Sequence, residues 1–318
     1  MKQDPPFAVQ IEPVEGCTLA CSFCALQSIR DNGADAKTGT HGKSSAPYKY
    51  MDIATAARVA KSIARQGWNP RIEFAMHGEP TVHPKLPAII EVFRDTLPKV
   101  SLMLTTNGSG IKNMDYIDEL FFAGLNTLAY DRYDHAPWKD RALAVLRGYA
   151  VHRGRSLLFY PQNKDASPHT RFFGQRIVVI RDISQNISGN HTLTNQGGNS
   201  GAADPLEQRC AKPFRELSIR WNGNVAICCD DWKGEYKIGN VQHMPLDAIW
   251  QHPRFQAARV ALYNAQRSAI GVCSGCNVRT YRNGLLPDKM GRVKLPTLSA
   301  ADKIEIIEAQ EGANYSCK

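Results

Sequence analysis

Cys17, Cys21 and Cys24 stand at C-x3-C-x2-C spacing near the start of a 318-residue chain. Thiolates are the usual protein ligands of iron–sulfur clusters. Three this close together can hold three irons of a [4Fe–4S] cube. No fourth cysteine lies nearby, so the last iron stays open to a non-protein ligand. Zinc is the alternative, although structural zinc prefers paired C-x2-C units and a closed shell of four. A second set follows much later: Cys210, Cys228, Cys273 and Cys276. Four thiolates can enclose a second cube with no open iron. Zinc fits this set too, because cysteine number alone does not separate the two metals. Cys229 can substitute for Cys228, but strand neighbours point to opposite faces, so one of the two ligates. Cys317, in the C-terminal tail, reads as a bystander.

The elements that must position these thiols show in the apolar pattern. Strands are predicted at Ala8–Ile11, Arg71–Met76, Ser101–Thr105, Thr127–Tyr130, Leu157–Tyr160 and Ile177–Ile180. Helices are predicted between them at Ile53–Arg65, Lys85–Thr96, Met114–Phe122 and Asp140–Val151. The Ile53, Val59, Ala60, Ile63 spacing follows the helical period, with Gly67 as a stop. Such alternation implies a parallel sheet with right-handed crossovers. Six βα units make a partial (β/α)6 barrel, short of the eight of a closed one. Ligands of such sheets bind at the strands' C-terminal ends, and the first cysteine loop follows the first strand. Farther on, Leu217–Trp221 and Asn224–Cys228 flank Asn222-Gly223 and read as a hairpin with a type I′ turn. A helix is expected over Leu246–Ala265. The predicted organisation is a barrel over 1–183, a linker over 184–209, a small cysteine-rich α/β domain over 210–290 and a tail over 291–318. Asp31–Tyr50 and Ser184–Arg209 read as loops, and Leu298–Gln310 as an amphipathic helix.

Residues 7–182 resemble the radical S-adenosylmethionine (SAM) superfamily. The resemblance rests on the cysteine loop, His77-Gly78-Glu79-Pro80 after the second strand, and Thr105–Ser109 with its Thr-Asn-Gly core after the third. It implies that SAM chelates the open iron and is split reductively to a 5′-deoxyadenosyl radical, which takes a substrate hydrogen. It further implies that Phe23 packs beside the adenine. Gly78, Glu79 and Pro80 then form the turn that receives the SAM ammonium, with Asn107 and Ser109 near the ribose and carboxylate. His77 departs from the family's Gly-Gly-Glu-Pro. Asp131, after the fourth strand, is the candidate ribose acceptor, with helix capping by Asp134 as the plainer role for that cluster. Tyr160, Arg181 and Asp182 are expected to face the same cavity, while His169 and His191 have no assigned role. Residues 210–280 resemble the auxiliary-cluster extension called SPASM or, in its single-cluster form, twitch. A second [4Fe–4S] cluster on Cys210, Cys228, Cys273 and Cys276 follows from that resemblance.

The chain has nine cysteines and no apolar stretch resembling an export signal or the about 18–20 residues of a membrane span. Metal ligation in a reducing cytoplasm, with flavodoxin or ferredoxin as electron donor, is the expected setting. The formal charge is +9, with arginines and lysines concentrated over Arg153–Arg181 and Arg267–Lys294. Such segments attract phosphates. They suggest a DNA or nucleotide substrate, and a resemblance to phage-type radical SAM proteins of DNA hypermodification. One chemistry of that kind moves the linkage of an amino acid on thymine from nitrogen to carbon. The alternatives are a twitch-type dehydrogenase of a small alcohol or aminocyclitol, and a peptide-modifying enzyme. A non-catalytic iron–sulfur scaffold is disfavoured by the SAM-site motifs.

Overall fold

The computed structural model describes residues 3–21, 24, 26, 47–163, 166–181, 206 and 208–278. Phe23, Asp182, His191, Cys317, most of the two predicted loops and the tail helix lie outside the described residues. The order is β1 (Ala8–Ile11), β2 (Val14–Glu15), β3 (Lys49–Tyr50), α1 (Ile53–Arg65), β4 (Arg71–Phe74), a 3-10 turn (Pro80–Val82), α2 (Leu86–Thr96), β5 (Ser101–Thr106), α3 (Met114–Phe122), β6 (Thr127–Asp131), α4 (Lys139–Arg153), β7 (Ser156–Tyr160) and β8 (Arg176–Ile180). The C-terminal part adds α5 (Lys212–Arg215), β9 (Glu216–Ile219), β10 (Asn224–Ala226), β11 (Lys237–Asn240), α6 (Leu246–Trp250), α7 (Pro253–Tyr263) and α8 (Gly271–Ser274).

Nine strands form one sheet in the order β11-β10-β9-β1-β4-β5-β6-β8-β7. From β9 to β7 every pair is parallel, and β9-β10-β11 is antiparallel. The α/β partial barrel expected from the alternation is present, with two corrections. The last two barrel strands exchange places, so β8 sits between β6 and β7. Composition explains this: Ile177, Val178 and Val179 of β8 are all fully buried, as a strand covered on both faces requires. Ser156 of β7 is exposed and the rest of that strand is half-buried, which suits an edge. Second, the hairpin does not fold apart from the barrel. β9 lies parallel against β1, with Gln10 opposite Ser218, so the cysteine-rich part extends the barrel's own sheet.

Strand alternation gives this sheet two chemically different faces. Val9, Ile11, Ile72, Phe74, Leu102 and Leu104 point the same way and belong to the apolar core beneath the helices. Their neighbours in register, Gln10, Glu73, Met103, Thr105 and Ser218, share the opposite, concave face. Helix α1 starts where the Asp52 side chain accepts from Thr55 N at 2.6 Å, and it buries Val59, Ala60 and Ile63. Gly67, just past its end, has φ +61°, the left-handed value a helix stop favours.

Two local expectations are also corrected. The β9–β10 connection is a three-residue loop, not a type I′ turn. Gly223 N donates to Arg220 O and Arg220 N to Asn224 O, both at 2.8 Å, and Gly223 alone takes a positive φ. A type I turn followed by a left-handed glycine has this form. The helix expected over 246–265 breaks into α6 and α7 because Pro253 starts a new helix, with His252 accepting from Arg254 N.

The N-terminal ends of the strands are closed by the segment 166–175. Ser101 Oγ donates to Phe172 O at 2.9 Å, and Arg176 Nη2 to Ser167 O at 3.0 Å. Asn126 is the hub: its amide donates to Phe173 O and Gly174 O, and its carbonyl accepts from Leu102 N and Arg94 Nη2. Replacing Asn126 with alanine strands several buried groups and is expected to cost about 2–4 kcal/mol. Denaturant unfolding of the metal-free protein measures this; a loss below about 0.5 kcal/mol would remove Asn126 from that role.

Candidate active site and cluster pocket

The first cysteine loop leaves the sheet at the C-terminal end of β1. Cys24 N donates to Cys21 O at 2.9 Å, so the loop turns back and brings the thiols together. Tyr48 Oη donates to Cys17 O, and Leu19 N and Asn107 Nδ2 both donate to Cys17 Sγ at 3.4 Å. His135 Nε2 lies 3.2 Å from Cys21 Sγ. Burial raises Cys17 to about 12, with Glu79 and Cys24 adding to it. Burial and the neighbouring thiols raise Cys21 to about 12, and burial raises Cys24 to about 11. Such thiols hold their protons until a strongly cationic centre displaces them.

The two turns named from the sequence flank this loop. Gly16 and Gly78 form a parallel bridge, with Gly16 N donating to His77 O and Glu79 N to Gly16 O at 2.9 Å. A Cβ on Gly78 would lie 2.2 Å from Val14 O, so this position admits nothing larger than glycine. The Glu79 carboxylate is buried and serves the protein itself. Oε1 accepts from Thr81 N at 2.9 Å and Thr106 Oγ1 at 2.6 Å, and Oε2 from Asn107 N at 2.6 Å. Burial holds this carboxyl above its usual range although these bonds pull it down. Glu79 thus joins the two turns, and Pro80 opens the 3-10 turn beside it. Asn107 Oδ1 accepts from Ser109 N at 2.9 Å, and Trp138 Nε1 donates to Asn107 O. Ser109 Oγ is buried with no partner among the described residues, which suits a ligand acceptor.

Asp131 ends β6 on the concave face, in register with Ile180. Asp134 caps no helix; it pairs with Arg132 at 3.0 Å, and Trp138 stands at the start of α4. Tyr133 is a neighbour that sequence reasoning left without a role. Burial, then Asp131 and the three thiols, hold its hydroxyl well above the ordinary value. Tyr160, opposite Ile180, shares the concave face, but Arg181 does not. Being one residue farther along, it turns outward and lies 4.3 Å over the Phe159 ring. Within the described part of the basic segments, Arg176 and Arg267 are buried, whereas Arg153, Arg155 and Arg171 stay exposed. Arg153 pairs with Asp118, Arg176 grips the closing segment, and Arg267 donates to Gln208 O, Cys276 O and Val278 O. Arg132, in the loop after β6, is paired with both Asp134 and Asp140, and in the first turn of α4 Lys139 Nζ donates to Asp134 O and Arg141 Nη2 to Ser109 O.

Cys210, Cys228, Cys273 and Cys276 all line one pocket of about 310 Å³, together with Lys212 and Arg267. Cys229 is absent from that lining. Its Sγ lies 2.9 Å from Lys212 Nζ, and both Cys228 and Cys229 come after β10 ends at Ala226. Among the described residues no three His, Cys, Asp or Glu side chains converge closely enough for a single metal ion. Four thiols lining one pocket are a donor set that an iron–sulfur cluster and zinc share. Burial raises all four, Cys276 to about 11. Lys212 is kept charged despite its burial by Asp230, Cys229 and Glu216.

A buried ionic network that the sequence did not reveal joins the two centres. Glu12 Oε1 lies 2.8 Å from His77 Nδ1, and Oε2 accepts from Arg220 Nε at 3.0 Å and Trp221 N at 3.1 Å. Burial would raise Glu12, but His77, Arg220 and Trp221 outweigh it and hold it below the usual range. Arg220 also reaches Glu15 Oε2 at 2.6 Å and Trp232 O at 2.9 Å. Two glutamates so near an apolar strand are the one signal that marks it.

Comparison with known proteins agrees with this arrangement. Residues 11–132 match the Radical SAM superfamily, and residues 210–277 match SPASM, an iron-sulfur cluster-binding domain. The chain is a radical SAM protein with a C-terminal SPASM domain. The first domain implies a [4Fe–4S] cluster with SAM, and the second implies further iron–sulfur ligation. Over 123 residues it is 39% identical to the 7,8-dihydro-6-hydroxymethylpterin dimethyltransferase of Methanocaldococcus jannaschii, covering 38% of this chain. The match spans 22% of that relative's length. In three dimensions it is similar to BtrN in complex with AdoMet and 2-DOIA, with TM-score 0.67, 19% identity and coverage of 89% of this chain and 96% of that one. BtrN in an open conformation gives TM-score 0.58 and 15% identity over 88% and 96%. These likenesses concern the fold. No helix among the described residues is long and apolar enough to cross a membrane.

Two predictions follow from the thiols. Cys228→Ser should lose about half the iron of the reconstituted protein, whereas Cys229→Ser should keep it all; iron and sulfide analysis decides, and the reverse result would exchange their roles. Because burial keeps the leading thiols protonated, each must give up a proton on ligation. Cluster uptake by metal-free protein should therefore increase from about pH 7 to about pH 9. Absorbance of the cluster after anaerobic reconstitution measures this, and uptake independent of pH would contradict it.

Proposed function

We propose that the protein abstracts hydrogen from a small polar group held against the concave face, and that this group is carried by a nucleic acid. The observation that carries this reading is the row of polar side chains on the concave face, Gln10, Glu73, Thr105, Asp131 and Ser218. An amino acid attached to thymine, whose linkage moves from nitrogen to carbon, suits such a lining. A carboxylate and a guanidinium, Glu73 and Arg71, already stand 2.9 Å apart there. The net charge of +9 favours a polyanionic carrier.

When bound, the cluster on Cys17, Cys21 and Cys24 and its SAM supply a 5′-deoxyadenosyl radical. The protein's part is placement. Gly78 brings the turn against the cysteine loop, Glu79 fixes the spacing between that turn and Asn107, and Ser109 Oγ offers a hydrogen bond. Asp131 stands on the concave face, and Tyr133 lies near it and the three thiols. Full cysteine ligation of the second cluster leaves it an electron-transfer or structural role, with flavodoxin or ferredoxin supplying electrons in the cytoplasm.

Likeness of fold to BtrN with AdoMet and 2-DOIA supports a second reading, oxidation of a small alcohol or aminocyclitol with the auxiliary cluster taking an electron. Mass spectrometry of anaerobic reactions with SAM and dithionite separates the two. Isomerisation of thymine-linked amino acid in DNA leaves the substrate mass unchanged, whereas oxidation removes two hydrogens from the small alcohol. DNA binding that weakens steeply with salt supports the first reading. Turnover of a free aminocyclitol with no DNA binding overturns it.

A further inference from the structure

We propose that His77 is a positioning residue that links the SAM turn to the auxiliary cluster, so that occupancy of one site alters the other. The inference rests on the two-cluster reading above. It starts from the place where the sequence departs from the family's turn, with histidine instead of glycine.

One residue touches both centres. The His77 carbonyl accepts from Gly16 N at 3.2 Å, and Gly16 immediately precedes Cys17. Its ring reaches the other way, with Nε2 2.7 Å from the carbonyl oxygen of Cys229, which immediately follows Cys228. Nδ1 is held by Glu12 at 2.8 Å, and the ring packs against Trp232 with centroids 4.8 Å apart. His77 is 1% exposed, so no solvent competes for these bonds. Both ring nitrogens are in hydrogen-bond contact, so the ring cannot turn without losing these contacts. The residue before it, Met76, has φ +91°, a strained value for a side-chain-bearing residue that persists where surrounding contacts impose it. A ligand that shifts the 77–80 turn therefore pulls on the Cys228–Cys229 backbone through a rigid, fully bonded ring. Binding linkage is reciprocal, so a change in the auxiliary centre must alter ligand affinity by the same factor.

The test uses the full chain, reconstituted anaerobically, with iron counted. The auxiliary cluster's midpoint potential is measured by EPR-monitored titration with and without methionine plus 5′-deoxyadenosine, the cleavage products, which fill the SAM site without turning over. The wild-type potential is expected to shift on adding the products. His77→Gln and His77→Gly should retain both clusters and bind the products, yet lose the shift. Equal shifts in wild type and variants, or no shift in wild type holding about eight irons, would overturn the link. About four irons in wild type would instead overturn the two-cluster reading, and the inference with it. Should the variants fail to assemble, wild type alone still decides. Product affinity must differ between the oxidised and reduced auxiliary states by the factor the potential shift requires, and equal affinities overturn the proposal.

Discussion

The structure depends on a carboxylate that water never reaches. Glu12 is fully buried between a histidine on its first oxygen and an arginine and a backbone amide on its second. Burying such a charge unpaired is prohibitive, and removing one partner from a buried pair typically costs about 3–5 kcal/mol. Each partner comes from a different part of the chain. His77 belongs to the turn after β4, and Arg220 to the loop between β9 and β10, 208 residues from Glu12. The ladder between β1 and β9 could in principle slip, since backbone bonds carry no address. A slip of one residue would turn Gln10 and Ser218 into the apolar layer and Ile11 and Ile219 out of it. The ion network adds a second penalty to that slip, because no other register brings Arg220 to both Glu12 and Glu15.

The same logic governs the auxiliary pocket. Four thiolates around a cube carry more negative charge than the cube's positive charge cancels, and the walls hold the Asp230 carboxylate beside apolar Ile227, Leu262 and Val278. Lys212 and Arg267 bring two cations to that wall. Lys212 is itself held by Asp230 at 2.7 Å and Glu216 at 3.7 Å, while Arg267 spends its donors on main-chain carbonyls and keeps its whole charge. A positive neighbour stabilises the more negative, reduced state of a cluster.

Much of this was legible in the sequence because spacing encodes it. Ile53–Arg65 and Met114–Phe122 were expected and found with identical bounds, since apolar periodicity and capping residues fix them locally. The four cysteines of the second set share a pocket despite their separation in sequence, although Cys228 and Cys229 lie past the end of β10, beyond the reach of strand alternation. What was not legible depended on pairing. Periodicity does not tell which strand neighbours which, so the exchange of β7 and β8 and the merging of hairpin with barrel had to come from burial. Arg181 failed for a related reason: being one position beyond Ile180 reverses its face. Charge counted along the chain does not tell which side chains reach solvent: Arg176 and Arg267 are buried, whereas Arg153, Arg155 and Arg171 are exposed.

His77 shows how a departure from a family pattern can be structural and informative at once. Glycine at this place would leave Glu12 facing a void and Cys229 O without its donor. The conformational freedom that a first glycine supplies is provided here one position earlier, by Met76 in a left-handed conformation. The tight approach that a second glycine supplies is kept, because Gly78 still lies against Val14 O and Gly16. The turn thus retains the part that a ligand needs, a backbone pressed against the cysteine loop. It gives up the unconstrained part for a ring that reaches the auxiliary domain. Histidine without Glu12 beneath it would leave a buried ring nitrogen without a partner, so the two residues make sense only as a pair.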